Sequence, residues 1–183
     1  MSIDSRPAIG RAVPGVPHAT GRYYSSPLPT AFTTVALVAN ILYGIPFLVP
    51  ETATYTSITI EVTTLKAGSS LRLGIYRDSS GAPGALVLDA GVVSGATTGA
   101  KTIVISQQLT AGWYWLACLA NDTPTIRALT ATSSLQWLGY TSGTDVTTHA
   151  GWSVAQAYGA LPDPFTPGGA LTTIAAHRIM LAI

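Results

Sequence analysis

Tyr55-Thr56-Ser57-Ile58-Thr59-Ile60-Glu61-Val62-Thr63 is the stretch that decides the fold. Ile58, Ile60 and Val62 fall on one side and Thr59, Glu61 and Thr63 on the other, the period-two pattern of a half-buried antiparallel strand. Leu71-Arg72-Leu73-Gly74-Ile75-Tyr76-Arg77 repeats it, with Leu71, Leu73 and Ile75 inward and Arg72 and Arg77 near the surface. A dense turn signal follows, Asp78-Ser79-Ser80-Gly81-Ala82-Pro83-Gly84. Leu86–Leu88 and Lys101–Ile105 read as further short strands. A turn at Gly112 launches Trp113–Leu119, apolar enough to be covered on both faces. Upstream lie Thr33–Val38 and Leu42–Val49; downstream, after a turn at Asn121–Pro124, lie Leu135–Tyr140 and Ile174–Ile183, the last expected to pair beside an early strand. Turns arrive roughly every 8 to 12 residues, and no segment sustains a helical period. One helical turn is expected near Val154–Tyr158. The fold class that follows is all-β: an antiparallel β-sandwich, jelly-roll-like, over residues 31–183.

Composition agrees. The 183 residues carry 9% charge, with only Lys66, Lys101, Glu51 and Glu61 as lysines and glutamates, whereas exposed helices are normally coated with those types. A formal net charge of +1 leaves no footprint for nucleic acid. Cys118 is the single cysteine, so no internal disulfide forms. The N-terminus has no apolar core of a signal peptide, and the longest apolar run, Thr33 to Val49, is broken by Asn40, Gly44 and Pro46. These features predict a soluble product made in the cytoplasm, with no signal peptide and no membrane insertion. Residues 1–30 form a separate zone carrying Pro7, Pro14, Pro17, Pro27 and Pro29, an extended Pro-rich arm. Low surface charge and a positive mean hydropathy predict that some surface is covered in a homo-oligomer, with a trimer favoured. The arm, through Pro7, Pro14, Pro17, Tyr23, Tyr24 and Pro27, is expected either to wrap its own domain or, the favoured reading, to lie on a neighbouring chain as an attachment or oligomer contact. Deleting residues 1–30 is then expected to leave the sandwich folded but to abolish its incorporation into an assembly.

The block from Leu71 to Leu119, with Leu73-Gly74-Ile75-Tyr76-Arg77-Asp78-Ser79-Ser80-Gly81-Ala82-Pro83-Gly84 and Leu109-Thr110-Ala111-Gly112-Trp113-Tyr114-Trp115, resembles a β-sandwich module of bacterial surface proteins and phage virion proteins. The flanks Gly21-Arg22-Tyr23-Tyr24 and His177-Arg178-Ile179-Met180-Leu181 also look phage-like. The resemblance implies a phage or prophage virion structural protein of the tail-fibre, head-spike or capsid-surface kind, located in the virion and docking other virion proteins. It implies no catalytic residues.

No constellation for bond-making stands out, so the chain is expected not to be an enzyme and to hold no metal or cofactor. Glu51 and Glu61 lie too far apart along one strand for paired acid–base work, and the aspartates sit in turn contexts. His18, His149 and His177 are scattered. Cys118, among apolar neighbours, reads as an inert core thiol. Binding is the chemistry the sequence favours over catalysis, because exposed aromatics flanked by polar groups form stacking platforms for sugars. The candidates are Tyr76 with Arg77 and Asp78, Trp137 with Tyr140, and Trp152 with Tyr158; Trp113 and Trp115 share a strand face and default to core. Two functions compete: a structural building block, and a carbohydrate-binding module that recognises a host surface glycan during attachment.

Overall fold

The structure is a computed structural model that describes residues 17–26, 31–130, 138, 142–143, 149–172 and 175–183. Its strands in chain order are β1 (Tyr23–Tyr24), β2 (Phe32–Ala36), β3 (Ile41–Val49), β4 (Ala53–Thr64), β5 (Ser70–Ser79), β6 (Ala82–Ser94), β7 (Gly99–Leu109), β8 (Gly112–Ala120), β9 (Thr125–Leu129), β10 (Gly151–Ala155), β11 (Ala170–Thr172), β12 (Ala176–His177) and β13 (Ile179–Ala182). The described residues contain no helix, and the strands form two antiparallel sheets consistent with a β-sandwich. One sheet runs β11-β10-β3-β8-β5-β6.

The other sheet forks. β4 pairs β7 along one side. On its other side it pairs β9 at Val62 and Thr64, then β13 at residues 57–60. The C-terminal chain is thus wedged between β4 and β9: Ala176 and His177 pair β9, the Arg178 N–H donates to the Arg127 carbonyl, and Ile179 onward pairs β4. β2 and β1 complete the two prongs, on β9 and β13.

The inner faces meet over Ile58, Ile60 and Val62 of β4, Leu71, Leu73 and Ile75 of β5, and Leu116 and Cys118 of β8, all buried. Each such large aliphatic side chain contributes roughly 1.5–3 kcal/mol on burial. The alternation read from the sequence sets these faces correctly.

β8 is covered on both faces, as its composition predicts. Trp115, Ala117 and Leu119 point away from the inner core into a second apolar layer with Leu42 and Tyr76, roofed by Leu161 and Phe165. The roof is the stretch 156–169, a strap across the outer face. Its N–H groups are taken one by one: Tyr158 donates to Asn40 Oδ1 (2.9 Å), Leu161 to Asp89 Oδ2 (3.0 Å), and Phe165 to the Gly84 carbonyl (2.9 Å). Gly74 makes room for it: a Cβ there would sit 2.2 Å from Leu161 Cδ1.

Several expectations change. No helical turn forms at Val154–Tyr158; β10 runs to Ala155, with Trp152 and Val154 packed on the strap side at strand spacing. Leu86–Leu88 is the middle of a 13-residue strand. Leu135–Tyr140 lies outside the described residues apart from Leu138. Residues 17–26 of the arm belong to the sandwich, because Tyr23 and Tyr24 pair β13 and Tyr24 packs on the inner core.

Candidate functional site

The strap covers most of one outer face and leaves a notch at the β5–β6 end. β5 and β6 are joined by a two-residue turn in which Ser80 (φ 57°) and Gly81 (φ 86°) both take the left-handed conformation, the primed hairpin geometry that matches strand twist. Asp78 precedes the turn. Its Oδ2 accepts the Gly81 N–H at 3.2 Å and its Oδ1 accepts the Trp115 indole N–H at 2.9 Å. The carboxylate is therefore exposed yet oriented by two donors. It borders a cleft of about 120 Å³ lined by Pro46, Asp78, Gly81, Trp113, Trp115 and Leu138. Pairing of β3 with β8 sets Pro46 opposite Trp115 and Leu48 opposite Trp113, which brings these side chains to one surface. Trp113 is partly exposed, and Trp115 is buried.

The outer face of the forked sheet carries no strap among the described residues. Phe32 is 65% exposed, Tyr23 55% and Val104 85%. Between the prongs lies an ion cluster. Glu61 accepts two hydrogen bonds from Arg127, Nε to Oε2 at 3.2 Å and Nη2 to Oε1 at 3.0 Å, and Arg178 Nη1 lies 3.6 Å from its Oε2. Hydrogen bonding from Arg127 is the main reason the Glu61 carboxyl titrates below its ordinary range. The Arg178 guanidinium also lies over the Phe32 ring at 5.0 Å. Beside it is a depression of about 240 Å³ lined by Tyr23, Thr59, Ala100, Thr102, Arg178 and Met180. The Thr59 and Thr102 hydroxyls in its lining bond each other at 2.9 Å. β7 borders this face and pairs only β4 among the described residues.

Of the sequence-predicted site residues, Tyr76 is corrected. Its side chain leaves the inner core as the alternation demands, but the strap buries it completely, and its hydroxyl donates to the Pro162 carbonyl at 2.8 Å. It is no stacking platform. Arg77 is exposed, and of the Tyr76-Arg77-Asp78 group Asp78 alone lines the cleft. Trp152 and Tyr158 pack against the strap-side layer and line neither cavity. Trp137, Tyr140, Pro7, Pro14 and Pro27 lie outside the described residues. Of the arm candidates, Pro17 is exposed, Tyr24 faces inward, and Tyr23 lines the larger depression. His18 closes one end of the core on this same chain: it stacks on Tyr24 at 3.7 Å, and its Nδ1 meets the Tyr55 hydroxyl at 2.8 Å. Sequence reasoning missed Pro46, Trp113, Arg127 and Arg178. The same-face pair Trp113 and Trp115 was the available signal for the first two; nothing local marks the arginines, which meet Glu61 only through the fork. Compared with known proteins, the chain matches no family model, no curated protein and no solved structure.

Proposed function

We propose that the chain is a structural component of a phage or phage-like particle, a spike, fibre, tail or capsid-surface part that works by contact with copies of itself and with other virion proteins. The observation that carries the assembly half is the contrast between the two outer faces. One is roofed by the chain's own strap, with apolar side chains hidden beneath it. The other exposes Phe32, Tyr23 and Val104 around an ion cluster in which Glu61 offsets one of the two charges of Arg127 and Arg178. Apolar side chains on a face of low bare charge are what a subunit contact needs. The β7 edge adds eleven residues whose outer ladder groups can extend the sheet into a second copy. The phage half is supported by the resemblance of residues 71–119. Light scattering on the purified full chain tests the assembly. The expected mass is a multiple of the 18.9 kDa chain, a trimer being favoured, and Phe32→Glu with Val104→Glu returns it to one chain. A monomer at the concentrations of particle assembly overturns the proposal. Sedimentation tests the phage half: the chain is expected to travel with purified particles, and its recovery solely in the soluble fraction overturns that half.

A further inference from the structure

We infer that the notch between Asp78 and Trp113 is a saccharide-binding site that takes the edge of one neutral pyranose ring, the terminal sugar of a surface glycan. This inference is independent of the assembly proposal, since the notch and the bare sheet face lie on different sheets.

The chemistry of the lining carries it. A pyranose presents an apolar C–H face and a rim of hydroxyls. The notch offers an aromatic and a pyrrolidine surface in Trp113 and Pro46, and a single carboxylate at their border. Asp78 is held before any ligand arrives. The Trp115 indole fixes Oδ1, and the Gly81 N–H fixes Oδ2. A carboxylate accepts about four hydrogen bonds, so one acceptor position on each oxygen is still open. Two neighbouring acceptors on one rigid group suit two adjacent hydroxyl donors. Preorganisation of this kind lowers the entropic cost of binding. Trp115 itself is buried, and Trp113, partly exposed, presents aromatic surface to the notch. Among the described lining residues the partly exposed aromatic wall is Trp113, and one such wall fits stacking on a sugar face, whereas a quaternary ammonium is held by several. The volume, about 120 Å³, admits part of a hexose and leaves the rest of the ring and any attached chain outside. Binding is then weak for one ring, with affinity gained by repetition of the subunit in an assembly.

The test uses the full chain and methyl glycosides of glucose, galactose, mannose and N-acetylglucosamine, followed by tryptophan fluorescence and by amide chemical shifts. At least one glycoside is expected to bind with a dissociation constant on the order of millimolar. Trp113→Ala is expected to weaken it by about tenfold or more, Trp113→Phe to keep most of it, and Asp78→Asn to weaken it several-fold with the fold intact. If Trp113→Ala does not fold, Trp113→Phe and Asp78→Asn decide alone. Three outcomes overturn the inference: no response to any of the glycosides at about 100 mM, binding undiminished by Asp78→Asn, or saturation by tetramethylammonium in place of sugar. Light scattering on the same samples reports assembly separately, so loss of sugar binding and loss of self-association are told apart.

Discussion

His177 is fully buried, edge-on to the Tyr43 ring at a centroid distance of 4.4 Å, and neither ring nitrogen has a hydrogen-bond partner. Burial without a partner pushes its pKa down to about 3. In the unfolded chain the same imidazole takes a proton near pH 6.5. Between those values the unfolded state holds a proton that the folded state refuses. The stability associated with neutral His177 is therefore intact above about pH 6.5 and falls as the pH drops toward 3, at roughly 1.4 kcal/mol per pH unit. His18, also lowered by burial, acts in the same direction. Urea unfolding at pH 7.5 and pH 5.0 is expected to show a loss on the order of 2 kcal/mol on acidification. His177→Phe keeps a ring against Tyr43 and removes the titration, so most of that loss is expected to vanish. An unchanged difference in the variant would place the acid sensitivity elsewhere. Cys118 fits the same interior: burial lifts its thiol to about 12, in keeping with an unreactive core residue.

At the scale of elements, the strap and the fork are what separate this molecule from a plain two-sheet slab. The strap depends on glycine where it presses closest. A Cβ at Gly74 would meet Leu161 Cδ1 at 2.2 Å and the Leu88 carbonyl oxygen at 2.6 Å. Gly74→Ala is expected to cost about 1–3 kcal/mol and to admit water to Tyr76, read as lower urea stability with altered tyrosine fluorescence. Adding Leu161→Ala is expected to cost less than the sum of the two single changes, because the clash is then partly relieved. An additive pair would mean that the strap does not bear on Gly74. The same comparison explains what was legible in the sequence. Burial of one sheet face writes a period of two, so Ile58, Ile60 and Val62 and then Leu71, Leu73 and Ile75 announced the inner core. The strap comes from far along the chain, and its effect on Tyr76 has no local mark. The apolar character of outer positions such as Leu42, Trp115 and Leu119 was the one trace of a second layer. β9 escaped notice because it is five residues long with Arg127 at its centre, and that arginine is there for Glu61 across the fork. Asp78 was legible as a turn residue, whereas its bond to Trp115 depends on how β5 and β8 pair.

At the scale of the whole molecule, residues 17–26 are part of the sandwich itself. Residues 17–26 return along the C-terminal strand: the Gly21 N–H donates to the Ile183 carbonyl at 3.1 Å, and Tyr23 and Tyr24 pair Ala182 and Leu181. His18 and Tyr24 then stop the open end of the core over Phe47 and Tyr55. Residues 17–26 and the C-terminal strand are thus tied into one prong of the forked sheet, so the wedge that divides β4 from β9 is held from either side. Removing residues 1–26 takes away the outer partner of β13 and uncovers two buried aromatic rings, which is worth about 2–4 kcal/mol by the area exposed. Removing residues 1–16 leaves those contacts in place. The shorter truncation is therefore expected to unfold in urea at a higher midpoint than the longer one, with the difference in that range. Stopped-flow iodide quenching of tyrosine is expected to reach Tyr55 in the longer truncation alone. Equal midpoints for the two truncations would mean that the sandwich closes without its N-terminal stopper, and that residues 17–26 lie on the domain without holding it.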